Sequence, residues 1–237
     1  MCFSPEADFV AAAAIAPVGV LALRAVSTRR ELVIGALPLL FALHQLVEAF
    51  VWLGLDGDVS AGVQDAAATT YLLYAQAVLP ALVPLGFLLL EEHAGRRRTI
   101  VAALTALGAL TGAYLAFTIL ARPVDVVADA HAVVYTTRTE LDALIAVAYV
   151  SAVCGPALLS SRPLLRAFGA VNLVAVVTAG IVRAEAVTSI WCACAALASV
   201  LVLLALRAER PGASAAATPP RSPWRTPFVG RPGRRGS

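Results

Sequence analysis

Residues 32–55 read LVIGALPLLFALHQLVEAFVWLGL, an apolar stretch holding one carboxylate and one histidine, with Arg29-Arg30-Glu31 ahead of it and Asp56-Gly57-Asp58 behind. At 1.5 Å per residue, a helix over Leu32 to Leu55 is about 36 Å long, enough for a hydrocarbon core of about 30 Å. Six further stretches have the same character: Pro5 to about Leu23, Ala67 to Leu90, Thr99 to Ala121, Leu141 to Leu159, Leu164 to Val182 and Ala186 to Leu206. The expected fold is therefore all-α, an integral membrane bundle of seven transmembrane helices over residues 1–208, followed by a disordered tail over 209–237.

Composition supports this reading. Sixty per cent of the 237 residues are apolar and 14% are charged, with a mean hydropathy of +0.83, more apolar surface than one soluble core of this length hides. The net charge of +3 suggests no nucleic-acid partner, because the basic residues sit in short loops and in the tail and make no groove-binding motif. The lipid bilayer is the expected partner, and a multi-pass place in the cell membrane the expected location. Glu6 and Asp8 stand where a cleavable signal needs a basic start, so none is expected.

Arginine sets the orientation. Arg24, Arg29, Arg30, Arg96, Arg97, Arg98, Arg162, Arg166 and the tail arginines fall on one side of a seven-span chain, whereas only Arg122, Arg138 and Arg183 fall on the other. Basic loops stay in the cytoplasm, which puts the N-terminus outside and the C-terminus inside. The long connection from Arg122 to Arg138 is then an outer lid. The Pro-, Gly-, Ser-, Ala- and Arg-rich tail cannot form a packed core.

The informative residues are polar ones inside spans. His44, Glu48 and Trp52 recur every four residues, within an arc of about 80° on one helix face. His44 falls near the midplane, Glu48 about 6 Å further out and Trp52 about 12 Å out, at the depth of an ordinary interfacial tryptophan. An ionised carboxylate at the depth of Glu48 costs on the order of 3 kcal/mol unless it has a partner or is protonated. Cys2, Gln45, Tyr71, Tyr74, Gln76, Asp142, Arg183, Glu185, Trp191, Cys192 and Cys194 are expected in the same outer half, which is far richer in polar groups than the inner half.

Several readings of that cluster stand side by side. His44 and Glu48 form an interhelical hydrogen-bonded pair completed by Arg183 or Tyr71, or they line a binding site. They are also candidate metal ligands, although Cys2, Asp142, Glu185 or Cys192 would have to complete the set. Cys2 and either Cys192 or Cys194 lie at similar depth for a disulfide, and an N-terminal Cys2 could act as a nucleophile. Cys154 is expected as a small buried apolar residue. Glu6 and Asp8 need no role beyond favouring the positive end of the first helix. Pro80 and Pro84 read as kinks, and Gly108 with Gly112 as a close-packing pair.

Met1-Cys2-Phe3-Ser4, the run from Gln45 to Trp52, and Ser189-Ile190-Trp191-Cys192 together resemble a family of uncharacterised bacterial multi-pass membrane proteins, a domain of unknown function. Ala49 stands where that pattern has glycine. The resemblance implies a seven-span membrane protein and assigns no activity. The expected function is binding of a small molecule or ion in an outer pocket, sensor-like or carrier-like, built on Cys2, His44, Gln45, Glu48, Trp52, Tyr71, Gln76, Arg183, Trp191 and Cys192. The alternatives are an intramembrane enzyme using the same cluster, either a metal-dependent hydrolase or a thiol redox protein, and a structural membrane subunit.

Overall fold

Local chemistry sets the first helix, α1 (Pro5–Ala25): the Ser4 hydroxyl accepts a hydrogen bond from the Ala7 amide (3.3 Å) and Pro5 takes the first helical position, where its missing N–H is no loss. The computed structural model describes residues 4–92, 94–122, 124–129, 132–136, 142–182 and 186–208. Within them α1 is followed by α2 (Leu32–Leu55), α3 (Ala61–Leu90), α4 (Arg96–Ala121), a hairpin of β1 (Asp125–Asp129) and β2 (Ala132–Thr136), then α5 (Asp142–Leu158), α6 (Pro163–Val182) and α7 (Val187–Ala208). Six of these helices are long and apolar enough to cross a membrane, and α5 is apolar but shorter, at 17 residues. The protein is a multi-pass membrane protein.

The expected spans coincide with the helices to within a few residues, except that α3 begins at Ala61 rather than Ala67. Ser60 is the reason, since its hydroxyl accepts from the Val63 amide (3.4 Å) and so caps two polar turns onto the apolar stretch. The expected tail lies outside the described residues.

Ion pairs gather alternate connections at one end of the bundle. Arg30 meets Glu92 (3.0 Å), and Arg162 meets Glu31 (3.4 Å), so the loops before α2, after α3 and after α5 lie together. Glu31 also accepts from the Ser27 and Thr28 amides (2.8 and 3.3 Å). The hairpin closes the opposite end, paired antiparallel with Val127 opposite Val134. Val133 and Tyr135 of β2 are buried in a cluster with Trp52, Tyr71, Leu72 and Ile119, so the expected lid segment does fold over the bundle.

Without a strong hydrophobic drive between helices in lipid, close contact has to come from small residues and van der Waals packing. A Cβ at Gly19 would lie 2.5 Å from the Leu39 Cα, which shows how tightly α1 crosses α2. A Cβ at Gly108 or Gly112 would overlap the carbonyls of Pro80 and Ala77, so the glycine pair of α4 packs against α3. That stretch of α3 is irregular: residues Leu73–Val78 form a π segment. Pro80 has no amide to give the Gln76 carbonyl, and the widened turns upstream are a standard accommodation. One carbonyl in that segment, that of Ala75, accepts a hydrogen bond from the Tyr149 hydroxyl of α5. More than half of α2 and α7 is buried, against less than a third of α1 and α4. Polar groups on α2 are therefore interior.

Candidate functional site

On α1 the buried positions run Asp8, Ala12, Ile15, Gly19, Ala22, spaced alternately four and three. This is the seam of a helix packed along a neighbour, and it carries an acid into the bundle. Asp8 is fully buried (0% exposed), which overturns the expectation that it serves only the helix dipole. Across the interface, Gln45 and Glu48 lie three apart on α2, hence on one face. The Gln45 side-chain amide donates to Asp8 Oδ1 and to Glu48 Oε2, each at 3.3 Å. Gln45 and Glu48 are as buried as Asp8.

Two acids thus converge on one amide, with their bonded oxygens no further apart than twice 3.3 Å. Two ionised carboxylates about 6 Å apart repel by roughly 3 kcal/mol at an effective dielectric constant of about 20, in addition to the expense of burying each. Among the described residues, Asp8 Oδ2 and Gln45 Oε1 are buried and have no hydrogen-bond partner. Buried oxygens of this kind are normally satisfied, so the site is short of donors.

A layer of rings lies beside it. His44 stacks on Tyr71 at 4.0 Å with an interplanar angle of 11°, Tyr71 stacks on Tyr135 of the hairpin at 4.9 Å and 13°, and Tyr74 tilts against His44 at 4.7 Å. Tyr71 and Glu48 both lie close enough to the Cys192 thiol of α7 to influence it electrostatically. The hairpin, α2, α3 and α7 therefore meet around Tyr71. Tyr71 joins this layer by stacking on His44 and Tyr135.

Trp52 is buried in the same cluster as Tyr71 and Tyr135, under the hairpin. Other expected members fall elsewhere. Trp191 donates from Nε1 to Asn172 Oδ1 (3.2 Å) and meets Tyr149 edge-on at 5.4 Å, in a neighbouring cluster that shares Cys192. Between them lies a mostly apolar cavity of about 20 Å³, bordered by Tyr149, Asn172, Trp191 and Cys192, room for about one water. Gln76 is half-buried within the π segment. Cys2, Arg183 and Glu185 lie outside the described residues, as does the side chain of Asp142.

His44 and Glu48 find no third donor: no group of three His, Cys, Asp or Glu placed to hold a metal occurs among the described residues. Cys154, Cys192 and Cys194 are free thiols, and Cys154 is buried as expected. The sequence reading missed two residues, Asp8 and Asn172. The four-three spacing from Asp8 to Ala22 was the available signal for the first, and a lone amide in the middle of an apolar span was the signal for the second.

The model of a family of unknown function, DUF6629, matches residues 1–218. The chain belongs to that family. No curated protein and no solved structure matches it. For this DUF6629 member the geometry is the source of functional argument, and the match takes in all seven helices together with the Asp8–Gln45–Glu48 group.

Proposed function

We propose that this DUF6629 protein crosses the cell membrane seven times, with its N-terminus outside and residues 209–237 as a cytoplasmic tail, and binds an ion in the outer half of the bundle as a sensor or carrier. The observation that carries the site is the Gln45 amide held between the carboxylates of Asp8 and Glu48, all three buried. Buried acids drawn together at this expense mark binding sites more often than supports. The excess of arginine on the loops beside Glu31, Glu91 and Arg162, which share one end of the bundle, supports the orientation. The 17-residue length of α5 is at the short end of what spans a bilayer. The close fit around Gln45 favours a small charged guest over an organic molecule.

The test is thermal unfolding of the purified full chain across a panel of inorganic cations and across pH. A ligand at this site shifts the melting temperature of the wild type, and the shift is lost in Asp8→Asn and in Glu48→Gln. A shift that survives both substitutions places binding elsewhere. A reporter fused after Ala208 reads the side of the membrane, and activity outside the cytoplasm overturns the orientation.

A further inference from the structure

We infer that the ligand of the outer-half site is a proton, held by Asp8 and Glu48 as one acid-carboxylate pair. This rests on the reading of that site as an ion site and names which ion. The first reason is the position of the Gln45 amide. Its N–H donors point to Asp8 Oδ1 and Glu48 Oε2 at 3.3 Å each, and so occupy the position that a metal cation bridging the two carboxylates would need. Such a cation demands a shell of several oxygens turned toward it, whereas a proton demands one oxygen.

The second reason is the shortage of donors. Asp8 Oδ2 and Gln45 Oε1 are buried acceptors with no hydrogen-bond partner among the described residues, and they belong to side chains already in contact. One proton taken from water onto Asp8 turns its free oxygen into a hydroxyl donor, leaves Gln45 Oε1 as the complementary acceptor, and removes one of two negative charges. The Gln45 amide keeps both of its bonds through the change. Release reverses the step and returns the proton to water.

The other titratable groups facing the pair are His44 on α2, Tyr71 and Tyr74 on α3, Tyr135 on β2 through its stack with Tyr71, and Cys192 on α7. The chain's terminal amine, which acts electrostatically on Asp8, has a cationic form near neutral pH, and so does His44. Its ring lies face to face with Tyr71, and its Nε2 has no hydrogen-bond partner among the described residues. That nitrogen therefore gives neither acid a salt bridge.

Infrared spectroscopy of the wild-type full chain in lipid nanodiscs tests this, with aspartate and glutamate carboxyl carbons isotope-labelled in separate samples. The expected result is a carboxylic-acid carbonyl band at neutral pH that shifts with one of the two labels, is present whether the buffer holds sodium, potassium or neither, and is lost in the double variant Asp8→Asn, Glu48→Gln. Labelling assigns the band in the wild type, so the result stands even if the double variant does not fold. Absence of the band, or its loss on adding sodium or potassium, overturns the proton. If a cation-dependent melting shift is still abolished by Asp8→Asn, the ion site survives and only its ligand changes; if no variant-sensitive shift exists, both readings fall.

Discussion

Two buried glutamates flank the same helix in opposite circumstances. Glu31, just before α2, accepts two loop amides and meets Arg162, so its charge is answered by the fold itself. Glu48, nearly five turns further along, shares the Gln45 amide with a second acid. The first arrangement ties the loop before α2 to the loop after α5 and is built to stay. The second brings like charge together where the membrane makes charge expensive. Both residues are buried glutamates, so the contrast lies in their neighbours.

The contrast breaks most completely if the scaffold beneath both regions is removed. Gly108 presses against the Pro80 carbonyl and thereby holds α4 on α3 beside the π segment. Gly108→Leu would drive a side chain into backbone that cannot retreat, and the expected outcome is loss of folded monomer in detergent by size-exclusion chromatography. A well-folded variant would mean that α4 can shift away from α3.

Next in size is Glu31→Ala. It removes the acceptor for the Ser27 and Thr28 amides and one anionic partner of Arg162, a combined effect of about 2 to 3 kcal/mol given that Arg162 keeps some contact with water. Reversible unfolding of the full chain measures it. Asp8→Asn and Glu48→Gln should fall well below this, within about 1 kcal/mol of wild type, because each removes a buried charge and keeps the shape of the side chain. If Glu48→Gln destabilised as much as Glu31→Ala, the group around Gln45 would be a support like the group around Glu31.

The limits of the sequence run along the same divide. Helix α2 was legible to the residue, because charge brackets an uninterrupted apolar run and because the length needed to cross lipid is fixed by the bilayer. Glu48 and His44 were legible as interior groups from the energetics of burial alone. Asp8 was not, because a carboxylate in a first helical turn is satisfied equally well by water and by the helix dipole. Only the rotation of α1 against α2, set by the contact of Gly19 with Leu39, decides that it faces inward. Trp191 was hard to place for a related reason: the choice between Glu48 and Asn172 as its neighbour depends on which face of α7 meets α6.

The smallest effect should come from Arg30→Ala. Arg30 and Glu92 form an ion pair at 3.0 Å, and both side chains are more than half exposed. Water and salt screen such a pair, and two long side chains lose freedom to make it, so its removal should change stability by less than about 0.5 kcal/mol, near the limit of measurement. It nonetheless ties the loop before α2 to the loop after α3, while Glu31 ties the same loop to the one after α5. If this end of the bundle works as a single clamp, Arg30→Ala should matter more once Glu31→Ala has loosened the shared loop, and a double-mutant cycle would show coupling beyond the sum of the two. If the two effects simply add, the two ion pairs act independently, and the contrast with Glu48 rests on Glu31 and its own contacts.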